Sequence, residues 1–135
     1  MLLARRRRSP DGAVARDLGP RVDCNDASGP KRTLSIAGQL AMHASGAVVG
    51  LGDARAQARQ CSTNLAAILA HYGGSFRHLV KTTTYITHWG YRPLVTAARD
   101  EVFPAPPYPA NTLVIVQGLA EPHFLVEIEG IAVLA

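Results

Sequence analysis

The stretch FLVEIEGIAVLA, Phe124 to Ala135, restricts the fold more than any other part of the chain. It is rich in branched residues and free of proline, which is the composition of a strand. Successive strand side chains alternate faces, so Leu125, Glu127, Glu129 and Ile131 share one side. Phe124, Val126 and Ile128 share the other. Two carboxylates therefore stand about 7 Å apart on one face of a sheet. Either that face is half solvated, or one of the glutamates lines a cavity.

The remaining segments show which layers such a strand can join. RTLSIAGQLAM, Arg32 to Met42, begins as a strand and meets Gly38, and HASGAVVGLGD after it is turn-rich and hairpin-like. A helix follows. Asp53 can cap it, Ala58, Cys61, Leu65, Ile68 or Leu69, and Tyr72 recur at helical spacing, and Gly73 and Gly74 end it. Arg55, Arg59 and Asn64 form its polar side. HLVKTTTYITHW reads as a strand, and Pro93 suits the first turn of a second helix with Leu94, Val95, Ala98 and Val102 as its stripe. PAPPYPA stops that helix. NTLVIVQGLA and the final segment read as two strands, paired antiparallel across Ala120–Pro122, with Gly118 marking a bulge. Strand, strand, helix, strand, helix, strand, strand argues for an α+β layer with two helices on one face of a mixed sheet. The other face is left bare, which implies burial against another copy.

Bulk properties exclude several function classes. The 135 residues fit one domain, residues 17–135, with 1–16 as a mobile basic tail. That tail carries Arg5, Arg6, Arg7, Arg8 and Arg16 against Asp11 alone, and so holds the whole net charge of +4. The body is neutral and does not read as a nucleic-acid binder. No apolar run approaches the length of a membrane span, and the arginines lack the apolar segment of a secretory signal. Cys24 and Cys61 form no CxxC pair and the five histidines show no HxH or HExxH spacing, so no metal site is expected. A cytoplasmic location is the expectation. There is no phosphate-binding glycine loop and no GxSxG elbow. Cys61, on the apolar stripe, reads as a core packer.

LSIAGQLA, DARAQARQCSTNLAAILAHYGGSFRHLVKTTTYIT and FLVEIEGIAVL, in that order over residues 18–135, resemble the Rid family of reactive intermediate deaminases, also called YjgF or L-PSP. The family pattern runs strand-SGQ, a helix with AQxRQ and NL, VVKTTVYL, PARS, and VEIEAIA. The resemblance implies a chorismate-mutase-like α+β fold, a homotrimer with clefts between subunits, and cofactor-free hydrolysis of enamines or imines such as 2-aminoacrylate. It also assigns roles. Glu127, the first glutamate of VEIE, would be the catalytic residue that positions or deprotonates the attacking water.

Other pocket positions depart from the family pattern. The PARS arginine falls on Asn111, the SGQ serine on Ala37 beside the retained Gly38, and the GPY tyrosine on Arg21. Asn111, Arg21, Ala37 and Gly38 are thus the substrate-binding candidates. Losing a charge-assisted arginine pair costs ~2–5 kcal/mol of carboxylate binding in a desolvated cleft, and Arg21 could supply a guanidinium from the opposite wall. Three functions remain open. One is an enamine or imine deaminase with a re-cut pocket, and another is a non-catalytic trimer that binds a small molecule. The third is an accessory protein acting through its arginine tail.

Overall fold

The structure is a computed structural model and describes residues 24–27 and 31–135. Arg21 and the arginine-rich segment 1–16 lie outside the described residues. Five strands form one sheet: β1 (Cys24–Ala27), β2 (Arg32–Leu40), β3 (Leu79–Ile86), β4 (Ala110–Ile115) and β5 (Val126–Leu134). Two helices, α1 (Ala54–His71) and α2 (Arg92–Val102), pack together on one side of it. The strand order is β1-β2-β5-β3-β4, and only β3 and β4 run parallel.

The α+β layer expected from the sequence is present, with three changes. β4 and β5 do not pair across Ala120–Pro122. β5 fills the slot between β2 and β3, while β4 runs alongside β3 at the edge. Burial explains the choice. Val126, Ile128, Ala132 and Leu134 of β5 are all buried toward the helices, whereas most of β4 stays exposed. Each fully buried aliphatic side chain contributes about 1.5–3 kcal/mol, so the central slot goes to the more apolar strand. A parallel β3–β4 pair needs a crossover, and α2 supplies it. In the second change, the segment around 43–53 is the short hairpin expected, with an antiparallel bridge between Met42 and Val48 and the Val49 amide donating to the Ala41 carbonyl at 2.8 Å, but it adds no strand to the sheet; the additional strand is β1. In the third, β4 ends at Ile115, so Gly118 follows the strand and marks no bulge in it.

The helices follow their periodicity with two exceptions. Asp53 caps α1 by accepting from the Ala56 amide at 3.0 Å, and Gly73 takes a positive φ of 79° just past its end. Ala58, Cys61, Leu65, Ile68 and Leu69 are buried and Tyr72 packs partly against them. Asn64 is buried rather than on the polar side, because its amide serves the end of β2. Nδ2 donates to the carbonyls of Leu40 (3.0 Å) and Met42 (3.1 Å). On α2, Val95 and Ala98 are buried but Leu94 is 42% exposed. It falls outside the arc of α2 that meets α1.

Candidate functional site

The sheet face away from the helices carries the chemistry. Alternation along β5 sends Glu127 and Glu129 to this face, as the sequence implied, while Val126 and Ile128 enter the core. Their neighbours come from β3, where Tyr85 stands opposite Glu127 and Thr83 opposite Glu129. On the other flank, β2 breaks register between Ile36 and Gln39, where two residues, Ala37 and Gly38, stand opposite the single Glu129. The buried Gln39 side chain braces this bulge by donating to the Ala37 carbonyl at 2.9 Å.

Gly38 explains how Glu127 fits. A Cβ on Gly38 would fall 2.0 Å from Glu127 Oε1 and 2.8 Å from its carboxyl carbon. The carboxylate therefore lies directly on the bare backbone of the bulge, a close approach that only glycine allows. Glu129 is held differently. The Tyr85 hydroxyl donates to its Oε1 at 2.9 Å. That hydrogen bond is the main reason the phenol is held above its usual pKa; burial and the charges of Glu129 and Glu127 act the same way.

Beside Glu129 the face opens into a cavity of about 320 Å³, lined by Ser35, Ala37, Lys81, Thr83, Glu129 and Ile131. Lys81 brings a positive charge to this face, and its ammonium donates to Thr112 Oγ1 at 2.5 Å. Ala37, Gly38 and Glu127 are thus brought together, with the Ala37 methyl in the cavity wall. Asn111 is not with them. Its Oδ1 accepts from Thr82 (2.9 Å) and Thr84 (3.1 Å), both buried on the helix side of β3. Within one copy, Asn111 and Glu127 lie on opposite sides of the sheet. Tyr85, Lys81 and Thr83 were missed from the sequence. The signal for them was alternation along KTTTY, which puts all three on the face of the glutamates once β3 is known to pair with β5.

α1 orients this face from beneath. Gln57 is fully buried and makes three hydrogen bonds: Nε2 donates to the carbonyls of Gly50 (3.1 Å) and His123 (2.9 Å), and Oε1 accepts from the Leu125 amide (2.8 Å). It pins the backbone two residues before Glu127. Cys61 is fully buried, with Sγ 3.6 Å from the Val126 carbonyl, and burial pushes its thiol pKa up. It is a packing residue, not a nucleophile.

A mixed sheet with two helices on one side, and paired glutamates on the other, defines an α+β domain of the YjgF/L-PSP fold. Comparison with known proteins agrees. The family model described as Endoribonuclease L-PSP matches residues 16–134. A RutC family protein of Synechocystis is 33% identical over 111 residues, covering 82% of this chain and 85% of that one. The 3-aminoacrylate deaminase RutC of Acinetobacter baylyi is 32% identical over 97 residues, covering 72% and 75%. Among solved structures, the conserved Rid family protein YyfA from Yersinia pestis superposes with a TM-score of 0.75 at 31% identity, covering 84% of this chain and 87% of that one. The chain belongs to the L-PSP (YjgF/Rid) family.

Proposed function

We propose that this protein is a deaminase that hydrolyses a small enamine or imine, with Glu127 as general base. The observation that carries this is the seating of Glu127 on Gly38, where a carboxylate in the middle of a sheet has been given room at the expense of a side chain. Such a placement is costly without a use for the charge. The deaminase name of the Acinetobacter relative supports the reaction class. In the proposed step, Glu127 takes a proton from water as its oxygen bonds to the C=N carbon, and the nitrogen is protonated. The carbinolamine then collapses, breaking the C–N bond to release ammonia and leave a carbonyl. The working unit is a homotrimer with the site in a cleft between copies, so that Asn111 of one copy can reach a ligand held by Glu127 of another. That geometry reconciles a shared site with the opposite faces the two residues occupy within one chain.

A second function, binding without catalysis, is favoured by one feature. Asn111 is neutral, and its amide N–H groups offer a substrate carboxylate less than a charged fork would. A coupled assay separates the two. A dehydratase generates 2-aminoacrylate in semicarbazide, and the protein competes with the trap; 3-aminoacrylate is run in parallel. Deaminase activity lost in Glu127→Gln supports the enzyme. A wild type inactive on both substrates, with activity appearing only in Asn111→Arg, supports the binding protein.

A further inference from the structure

The cavity beside Glu129 is built into the sheet by two register breaks. β2 sets Ala37 and Gly38 against the single Glu129, and β3 carries an extra residue, Val80, between the pairs Leu79–Ala132 and Lys81–Ile131. One break falls on each neighbour of β5, and together they bracket residues 129–131. Bulges bend and twist the strands that hold them, so the sheet is dished at this level. The wall of the hollow carries charges of both signs, Lys81 and Glu129, along with the hydroxyl residues Ser35 and Thr83. Glu129 stands opposite Thr83, and Lys81 lies two residues further along β3, a diagonal of about 7–8 Å. Long side chains can close that distance, yet each of the two takes a different partner. Tyr85 donates to Glu129 Oε1 at 2.9 Å, and Lys81 reaches away from β5 to Thr112 Oγ1 on β4. Opposite charges are thus held apart across a space of about 320 Å³.

We propose that this cavity binds a small free α-amino acid, with its ammonium on Glu129 and its carboxylate on Lys81. The ligand ammonium donates to Glu129 Oε2, since Oε1 already accepts from Tyr85. The ligand carboxylate accepts from the Lys81 N–H groups that Thr112 does not use, and from the Ser35 or Thr83 hydroxyl. A lone anion would be repelled by Glu129 and a lone cation by Lys81, so only a zwitterion complements both walls. Ala37 and Ile131 give its side chain an apolar flank, and the volume lies at the lower end of small-molecule sites. Neither Glu127 nor Gly38 lines this cavity, which runs from Glu129 away from them toward Ile131. Binding here is therefore separate from hydrolysis by Glu127.

The test titrates L-alanine, propionate and ethylamine separately into the nitrogen-15-labelled full-length protein and follows the backbone amides of Thr83, Glu129 and Ile131. Propionate lacks the ammonium and ethylamine lacks the carboxylate. L-alanine should shift these amides saturably, with a dissociation constant on the order of millimolar, and neither fragment should saturate in the same range. Glu129→Gln and Lys81→Met each remove one charge and should weaken L-alanine binding about tenfold. The two changes lie on different strands, so a fold lost in one leaves the other to be read. Glu127→Gln keeps the cavity and should leave the affinity for L-alanine within roughly threefold, the most that a well-solvated charge at about 7 Å would alter, whatever it does to hydrolysis. No saturable response to L-alanine, an equal response to propionate or ethylamine, or undiminished binding in a folded Glu129→Gln or Lys81→Met overturns the proposal. So does loss of L-alanine binding in Glu127→Gln, which would put the ligand at the proposed catalytic residue instead.

Discussion

At the scale of single residues, Gly38 offers the sharpest test of the site. It is not held at a positive φ, so alanine can adopt its backbone. The atom an added methyl would strike is the far end of the flexible Glu127 side chain, which can swing away at little cost to the fold. Gly38→Ala should therefore change unfolding free energy by no more than about 1 kcal/mol. Displacing the base should nevertheless lower kcat/KM by roughly ten- to a hundredfold. Urea unfolding measured beside the coupled assay checks both halves. Equal loss of stability and activity would mean Gly38 serves only the bulge. The same residue shows what a sequence can and cannot disclose. Alternation made the shared face of Glu127 and Glu129 readable, but nothing along the chain says that Glu127 meets Gly38. That contact comes from a register shift in β2 and from pairing with a strand about ninety residues away.

Among the elements, buried amides join α1 to the strands it supports. Gln57 is the clearest case, because Gln57→Leu leaves one N–H and two carbonyls without their partner in the core. A loss of about 2–4 kcal/mol is expected in urea unfolding, with activity falling further because the Leu125 amide no longer fixes the start of β5. Between the helices, Glu101 of α2 accepts from Arg59 Nε and Nη2, both at 2.8 Å, and also from Arg55. Those hydrogen bonds, Arg59's first, hold its carboxyl down to about 2. The folded pKa lies below the unfolded value of roughly 4.3, so the contribution is complete above that value and disappears as pH falls toward 2. The difference in melting temperature between wild type and Glu101→Gln should be small, because the pair is solvent-exposed. It should narrow over that acid range and in high salt. Both helices were legible from apolar spacing and caps. Asn64 was not, since a polar residue on a helix looks solvated until the carbonyls it reaches are known. The antiparallel pairing expected for the last two strands failed for a related reason. Local spacing suggests a hairpin, but competition for the buried slot is settled across the whole sheet.

For the molecule as a whole, the open sheet face is the surface on which the proposed assembly would form. Ile131 is 39% exposed there beside Glu129 and Lys81, and Val114, opposite Tyr85 on β4, is 37% exposed. The proposed trimer predicts a solution mass about three times the 14.4 kDa of the chain. Ile131→Asp should shift it toward the monomer by light scattering and abolish activity, while the far-ultraviolet dichroism stays unchanged. A wild type that is monomeric at assay concentration would remove the cleft between copies. No helix among the described residues is long and apolar enough to cross a membrane. The fold class was legible because its layers follow from alternating periodicities. Of the candidate site, the sequence pointed to Glu127, Ala37 and Gly38, which the structure brings together, but not to their neighbours on β3, which depend on pairings made far apart in sequence.

The central position of β5 also has a consequence during synthesis. β2 pairs with β5 from Arg32–Leu134 to Leu40–Glu127, and β3 reaches the rest of the sheet through β5 as well. Until residues 126–134 leave the ribosome, β2 and β3 are two exposed edges with a gap between them. The β1–β2 and β3–β4 pairs can form earlier, but sheet closure waits for the last of the described strands. A chain interrupted before residue 126 would therefore present sticky edges to its neighbours, making it a client for chaperones and proteases rather than a smaller version of the same domain.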